Sequence, residues 1–205
     1  MAVVTRLEKT NKNKGSMYKL FVDENEIALV HIEVIVKNGM FVGKEVDVDT
    51  LKELVFESNK VVAFELALKY LSKSMKTEKD IYTNLKQKGF DDRTTKSVIL
   101  KLKEYGYIND YNYAKYYINS TKTKGQYRIK AELKLKGVDE TIIQDLLDDI
   151  DENETIENIE KLADRYMKSK ETNQKNLQKL YQFLARRGYG NEDIMRVINK
   201  FREDE

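Results

Sequence analysis

Residues 110–137, DYNYAKYYINSTKTKGQYRIKAELKLKG, decide the predicted fold. Asp110 is a residue type that favours the start of a helix, and Gly137 favours a helix end. Between them the pattern predicts two helices joined by a basic turn. Ile129 and Leu133 stand one helical turn apart, so both should face a core.

The same pattern occurs three times along the chain, which predicts a repeat protein. A first segment has the form Ala-x-x-Tyr followed by an apolar residue. A second, which begins 14 to 17 residues after that alanine, has the form [Ile/Leu]-x3-Leu-x3-Gly. Its glycines are 48 and 51 residues apart, which is the period of helical repeat arrays. The copies are Ala67-Tyr70-Leu71 with Ile81-Leu85-Gly89, Ala114-Tyr117-Ile118 with Ile129-Leu133-Gly137, and Ala163-Tyr166-Met167 with Leu180-Leu184-Gly188.

Each copy should contain a third helix, so the predicted unit is a three-helix repeat. Its inward positions are Val98, Ile99 and Leu102 in the first copy, Leu146, Leu147 and Ile150 in the second, and Val197, Ile198 and Phe201 in the third. A unit of this size closes its own core poorly and depends on its neighbour. We therefore predict a mainly α fold, with three tandem three-helix repeats at residues 61–106, 107–151 and 152–205 in an elongated curved array.

Residues 1–60 differ in texture and predict a small β-containing N-terminal module. The runs Val3–Leu7, Tyr18–Val22 and Ile27–Val30 are β-prone, and 31–38 is a candidate short helix stopped by Gly39. So small a sheet is marginal alone, so we expect the following helices to cover its apolar face. Asp49 is the predicted cap of the next helix.

Composition excludes several classes of site. The 205 residues contain no cysteine, and this absence rules out disulfides, thiolate metal sites and a cysteine nucleophile. The chain has one histidine, His31. The Gly39-x3-Gly43-Lys44 segment is one residue too short for a phosphate-binding loop, and Glu45 replaces its Ser or Thr. Paired acids such as Asp148-Asp149 are better explained as solvent-exposed surface residues than as catalytic groups. We expect no enzyme activity, no cofactor, no metal and no membrane association, and a cytoplasmic monomer.

Charge is uneven along the chain although the net charge is only +2. Residues 69–136 hold 17 Lys and Arg against 7 Asp and Glu, whereas residues 137–205 hold 11 against 17. This pattern suits an anionic partner or a protein that presents both signs, but it also suits ordinary solvated helix faces.

The basic residues of the second and third repeats are the candidate binding site for a partner or nucleic acid, because they could form a stripe along successive repeats. Chance is the alternative in a chain this rich in lysine. The candidates are Lys122, Lys124, Arg128, Lys130, Lys134, Lys136, Arg186 and Arg187. Six tyrosines between residues 105 and 117 could stack on bases, but packing between repeats explains them better.

Four segments resemble the RecX family of regulatory proteins, and the resemblance covers nearly the whole chain. They are residues 67–72, residues 85–89, the junction YINDYNYA at 107–114 and the helix IKAELKLKGV at 129–138, with a weaker LARRGY at 184–189. The junction and helix are the most specific part.

The resemblance implies no catalysis and the modulation, chiefly inhibition, of the RecA recombinase on its filament with single-stranded DNA. It implies a place in DNA repair, recombination and the SOS response, with weak and non-specific DNA contact in some members. The alternative function is a stand-alone helical-repeat protein that binds nucleic acid.

Overall fold

The computed structural model describes residues 2–203 and divides the chain into two compact units, Met1–Ile108 and Asn109–Glu205. Most of the described residues are helical, and the strands belong to the first unit. The predicted fold class is therefore confirmed: three-helix domains follow a small N-terminal antiparallel sheet.

The sheet of the first unit has four antiparallel strands in the order β3-β2-β1-β4. They are β1 (Ala2–Lys9), β2 (Met17–Val22), β3 (Asn25–His31) and β4 (Glu45–Val46), with a short 3-10 helix at Lys12–Gly15. The sequence predicted the first three strands. It missed β4, because two residues are too few to show alternation.

Helices cover one face of this sheet, as expected for so small a β module. Helix α1 (Ile32–Lys37) follows β3 directly and is capped by His31, and helix α2 (Val48–Leu71) packs on β3. Leu20, Val30 and Leu54 meet in the shared core and are at most 3% exposed.

The cap of α2 is Asp47, so the predicted cap, Asp49, is wrong. The Asp47 Oδ1 atom accepts a hydrogen bond from the Thr50 backbone N–H at 2.7 Å. Asp49 lies inside the first turn, where it pairs with Lys52 at 3.2 Å. Both aspartates fit the preference for acids at helix starts, so composition alone does not separate them.

The first three-helix domain is completed by α3 (Glu78–Gln87) and α4 (Asp92–Glu104) packed on α2. Thr77 and Asp80 form the predicted capping box. Gly89 ends α3 with a φ of +91°, the left-handed conformation that the repeat pattern predicts.

The second unit contains the other two three-helix groups. Its helices are α5 (Asp110–Ser120), α6 (Gln126–Leu135), α7 (Glu140–Asp148), α8 (Glu152–Met167), α9 (Gln174–Arg186) and α10 (Asn191–Glu203). Ile129, Leu133, Leu180 and Leu184 are at most 3% exposed, as their repeated positions predict. Helix α2 continues without a break through residues 60 and 61, where the sequence predicted the boundary between the N-terminal module and the first repeat. The division of the chain into four parts therefore stays a prediction.

Candidate partner-binding surface

The outward face of α6 carries two of the predicted basic residues, and both meet one acid. Ile129 and Leu133 point into the core, so the helical period turns Lys130 and Lys134 away from it. Their Nζ atoms lie 3.2 Å and 2.7 Å from Glu140 Oε1 at the start of α7. Hydrogen bonds from Lys134 and then Lys130 lower the pKa of Glu140.

Glu132 is the centre of a second cluster on α6. Lys124 Nζ donates to Glu132 Oε2 at 2.6 Å, Arg128 Nε donates to Oε1 at 3.0 Å, and the Tyr117 hydroxyl also donates to the carboxylate. Burial raises the pKa of Glu132, but the hydrogen bonds from Lys124, Tyr117 and Arg128 outweigh it and lower that pKa to about 2. Glu132 therefore stays ionised and holds two of the predicted cations in fixed positions.

Lys122 and Lys136 lie at the two ends of this region. Lys122 Nζ pairs with Glu154 on α8 at 2.9 Å, and Lys136 is the exposed residue that follows α6. Three acids, Glu132, Glu140 and Glu154, thus pair with five of the six predicted cations between residues 122 and 136. The surface is less basic than the sequence indicates, because Glu140 and Glu154 reach it from α7 and α8.

The basic turn before α6 is fastened to the end of α9 by its backbone. The Gly125 N–H donates to the Arg187 carbonyl at 2.9 Å, and the Tyr127 N–H donates to the Gly188 carbonyl at 3.0 Å. Gly125 has an ordinary φ of −76°, yet a Cβ atom there would overlap the Gly188 backbone. Two three-helix groups therefore meet backbone to backbone at this glycine pair, which we call the glycine junction.

The glycine junction is absent from the sequence prediction. Gly125 breaks no pattern, and its backbone conformation would suit any residue. The only signal at Gly188 was its place as a helix-ending glycine, and its φ of +86° confirms that role. Its second role, close approach to Arg128, depends on a partner 60 residues away and has no local signature.

The junction brings Arg128 beside the predicted pair Arg186 and Arg187. All three line a groove of about 510 Å³ on the second unit, which we call the basic groove. Its other lining residues are Tyr166, Lys179, Gln182 and Phe183. The structure thus sorts the eight predicted cations into the α6 region and the basic groove, with Arg128 in both.

The tyrosines predicted to pack do so in part. Tyr113 and Tyr117 are half-buried and stack with ring centroids 6.4 Å apart, at an interplanar angle of 9°. Tyr105 and Tyr107 are more than half exposed, but their rings form an edge-to-face cluster with Phe64 of α2. Tyr111 and Tyr116 are exposed.

Two kinds of feature are missing from the described residues, 2–203. None of the helices there combines the length and the apolar character that a membrane span requires. No group of three or more His, Cys, Asp or Glu residues in that range could hold a metal ion.

Family models match most of the helical part of the chain. Residues 63–107 match the RecX first three-helix domain, residues 109–147 the second, and residues 152–198 the third. The three matched spans follow the chain in the same order as the three predicted repeats.

Individual relatives extend the similarity to the full length. The regulatory protein RecX of Clostridium perfringens strain 13 is 34% identical, with 100% of this chain and 99% of the relative covered. That of Clostridium tetani is 33% identical, with 96% and 93% covered.

Two solved structures share the architecture. One, a crystal structure of regulatory protein RecX, superposes over 100% of both chains with a TM-score of 0.75 at 23% identity. The other, RecX from Lactobacillus salivarius, covers 70% of this chain and 96% of its own, with a TM-score of 0.65 at 26% identity. With its sheet, its three three-helix domains and its full-length relatives all in agreement, the chain belongs to the RecX family of regulatory proteins.

Proposed function

We propose that this protein binds the RecA filament on single-stranded DNA and regulates RecA, chiefly as an inhibitor of its recombinase, ATPase and co-protease activities. The observation that carries the proposal is the match of all three three-helix domains, with relatives named regulatory protein RecX that align over the full length. The protein would act by binding and not by catalysis, in DNA repair, recombination and the SOS response.

The candidate contact surface is the basic region between residues 122 and 136 together with the basic groove. The concentration of Lys and Arg side chains there supports contact with a filament that carries DNA phosphates. Exposed charges of this kind steer association, so mutations there should change the association rate and its salt dependence more than the fold.

The direct test is the rate of ATP hydrolysis by RecA on circular single-stranded DNA, measured as this protein is added. We expect hydrolysis to slow at ratios well below one protein per RecA subunit. The yield of strand exchange should fall in parallel, and so should the length of the filaments seen by negative-stain electron microscopy. Unchanged ATPase, strand exchange and filament length would overturn the proposal.

The contact surface needs its own variant, chosen so that Glu132 keeps its partners. Lys130, Lys134 and Lys136 changed together to Gln remove three charges outside the Glu132 cluster. Lys9, Lys19 and Lys37 changed to Gln remove the same charge from the N-terminal module and serve as the matched control. Inhibition should weaken several-fold for the first triple and stay near wild type for the second. Equal inhibition by both would place the contact surface elsewhere.

A further inference from the structure

Strand β1 has an open edge over most of its length. Its neighbour on that side, β4, is only two residues long and pairs with the first two residues of β1. The next residue, Val4, bonds to the loop before β4, since its N–H donates to the Lys44 carbonyl at 2.9 Å and its carbonyl accepts from the Gly43 N–H at 2.7 Å. Beyond that point no strand among the described residues pairs with residues 5–9 on this side, which we call the open edge.

The register between β1 and β2 determines which backbone groups point to the open edge. Lys9 lies opposite Tyr18, and the Thr10 N–H donates to the Met17 carbonyl at 2.9 Å. Because hydrogen-bonded and non-hydrogen-bonded pairs alternate along an antiparallel ladder, the N–H and C=O groups of Leu7 and Lys9 point away from β2. These two residues therefore present donors and acceptors to which the described part of the chain adds no strand.

The side chains on either side of Leu7 carry opposite charges on one face of β1. Arg6 and Glu8 are about half exposed, and Arg6 Nη1 lies 3.1 Å from Glu8 Oε1. The Arg6 guanidinium also lies 3.9 Å from the centroid of the Phe21 ring, which holds it in place. Edge strands are commonly protected from pairing by charged side chains, especially lysine. Opposite charges two residues apart do not repel an antiparallel copy of the same strand, because the copy presents them in the reverse order.

From this arrangement we infer that the open edge pairs with the open edge of a second copy of this chain. In an antiparallel pairing centred on Leu7, the two Leu7 residues lie opposite each other and exchange both backbone hydrogen bonds. Arg6 of each copy then lies directly opposite Glu8 of the other, which gives two pairs of opposite charge. The half-buried Leu7 side chains meet on the core face of the sheet. The two four-stranded sheets would thus join into one.

The charges select both the register and the occupant. A pairing centred on Glu8 would also use the outward groups of Leu7 and Lys9, but it would place two Glu8 carboxylates opposite each other, which is destabilising. The backbone of an open edge accepts any extended peptide. The alternation of Arg6 and Glu8 about Leu7 is, however, complementary to the chain's own sequence, and this favours a second copy over another protein.

The pairing is short, so the dimer should be weak. Stable interfaces typically bury about 1,200–2,000 Å² in total, and a contact limited to five residues of one strand is smaller than that. We expect a Kd on the order of 100 µM. The monomer expected from the sequence would then hold in dilute solution. Because the pairing needs no RecA, it can be tested separately from the proposed function, and either can fail without the other.

The test is sedimentation equilibrium of the full chain, without RecA or DNA, over concentrations that span the expected Kd. Arg6→Glu places Glu opposite Glu in both pairs, and Glu8→Arg places Arg opposite Arg, so each variant alone should dimerise at least about tenfold more weakly than wild type. An equimolar mixture of the two variants should form a heterodimer with an affinity near that of wild type, because each pair across the edge then joins Glu to Arg. The double variant should also recover dimerisation.

The matched control is Glu26→Lys, which reverses a charge at the other edge of the sheet. It also breaks an exposed ion pair, since Glu26 Oε2 lies 2.7 Å from Lys19 Nζ. It should dimerise like wild type. Hydrogen exchange followed by NMR gives a second readout on the unmodified chain. The Leu7 amide, which faces the open edge, should exchange more slowly as the protein concentration rises, whereas the Glu8 amide, which faces β2, should not change.

Three results would refute the pairing. One is a monomer at every concentration, which would leave the edge to an extended peptide of another protein. Another is a dimer that Arg6→Glu and Glu26→Lys weaken equally. The third is a mixture of Arg6→Glu and Glu8→Arg that stays monomeric although circular dichroism shows both variants to be folded. If either variant is unfolded, the double variant and the exchange of the Leu7 amide decide.

Discussion

The glycine junction makes a prediction that separates two reasons for needing glycine. Gly125 has an ordinary backbone conformation but no room for a side chain. Gly89 is the opposite case, with a φ of +91° and open space where a Cβ atom would lie. Substitution of each by alanine therefore tests close approach against backbone strain within one protein.

The expected cost of Gly125→Ala follows from what the methyl group would displace. Overlap with the Gly188 backbone forces a shift that typically costs about 1–3 kcal/mol. The same shift would lengthen the bonds from the Gly125 and Tyr127 N–H groups, each of which contributes about 0.5–1.5 kcal/mol. We expect about 2–6 kcal/mol in total, against about 1–2 kcal/mol for Gly89→Ala.

Thermal unfolding with hydrogen exchange would measure both effects. For a unit of roughly 100 residues, 1 kcal/mol lowers the Tm by about 4–8 °C, so Gly125→Ala should lower it by at least about 8 °C. Amide exchange at residues 125–127 should also accelerate in Gly125→Ala and stay unchanged in Gly89→Ala. A smaller loss of stability for Gly125→Ala than for Gly89→Ala would refute the backbone contact as the reason for the glycine.

Three further predictions concern the core, the Glu132 cluster and the docking of the sheet. Leu133→Ala removes a fully buried side chain and should cost about 2–5 kcal/mol in chemical denaturation, whereas the neighbouring exposed Leu135→Ala should cost little. The folded pKa of Glu132 is about 2, below its usual 4.5, so its stabilisation is complete above about pH 5 and is lost as the pH falls towards 2. Glu132→Gln should therefore flatten the dependence of Tm on pH in that window. The free energy of unfolding that depends on this group is on the order of 1 kcal/mol, because the carboxylate is partly solvated. Ser58→Ala should lower the free energy of unfolding by about 1–3 kcal/mol in a urea titration, because the buried Ser58 Oγ accepts a hydrogen bond from the His31 N–H at 2.8 Å. Ser120→Ala, at a solvent-exposed position, is its control.

The scaffold could be predicted from the sequence because its requirements are local. Ile81, Leu85 and Gly89 recur as Ile129, Leu133 and Gly137, and each trio buries two side chains and ends a helix. A pattern that occurs three times is also hard to explain by coincidence. The helices and most of the core positions could therefore be predicted from this one pattern. The failures inside the scaffold, the cap at Asp47 and the strand β4, fall where the local signal is ambiguous or only two residues long.

The charged surface could be predicted only as a set of residues. The sequence identifies the lysines, but whether a lysine forms an ion pair depends on which acidic side chains lie next to it in the fold. Glu154 lies 32 residues after Lys122 in the chain, and Glu140 meets Lys130 only because α7 begins beside α6. Long-range pairing of this kind has no period, and the count of lysines therefore overstated the free charge.

The same distinction bears on where partner binding should evolve in this fold. Core positions are fixed by packing, and the glycine junction fixes the approach of α6 to α9, so substitutions there act on stability first. Lys179 and Arg186 lie outside both constraints, on the exposed face of a helix that Leu180 and Leu184 hold in place. Their charge can change without disturbing the core, and for that reason affinity for an anionic ligand can be tuned there while the repeat stays intact.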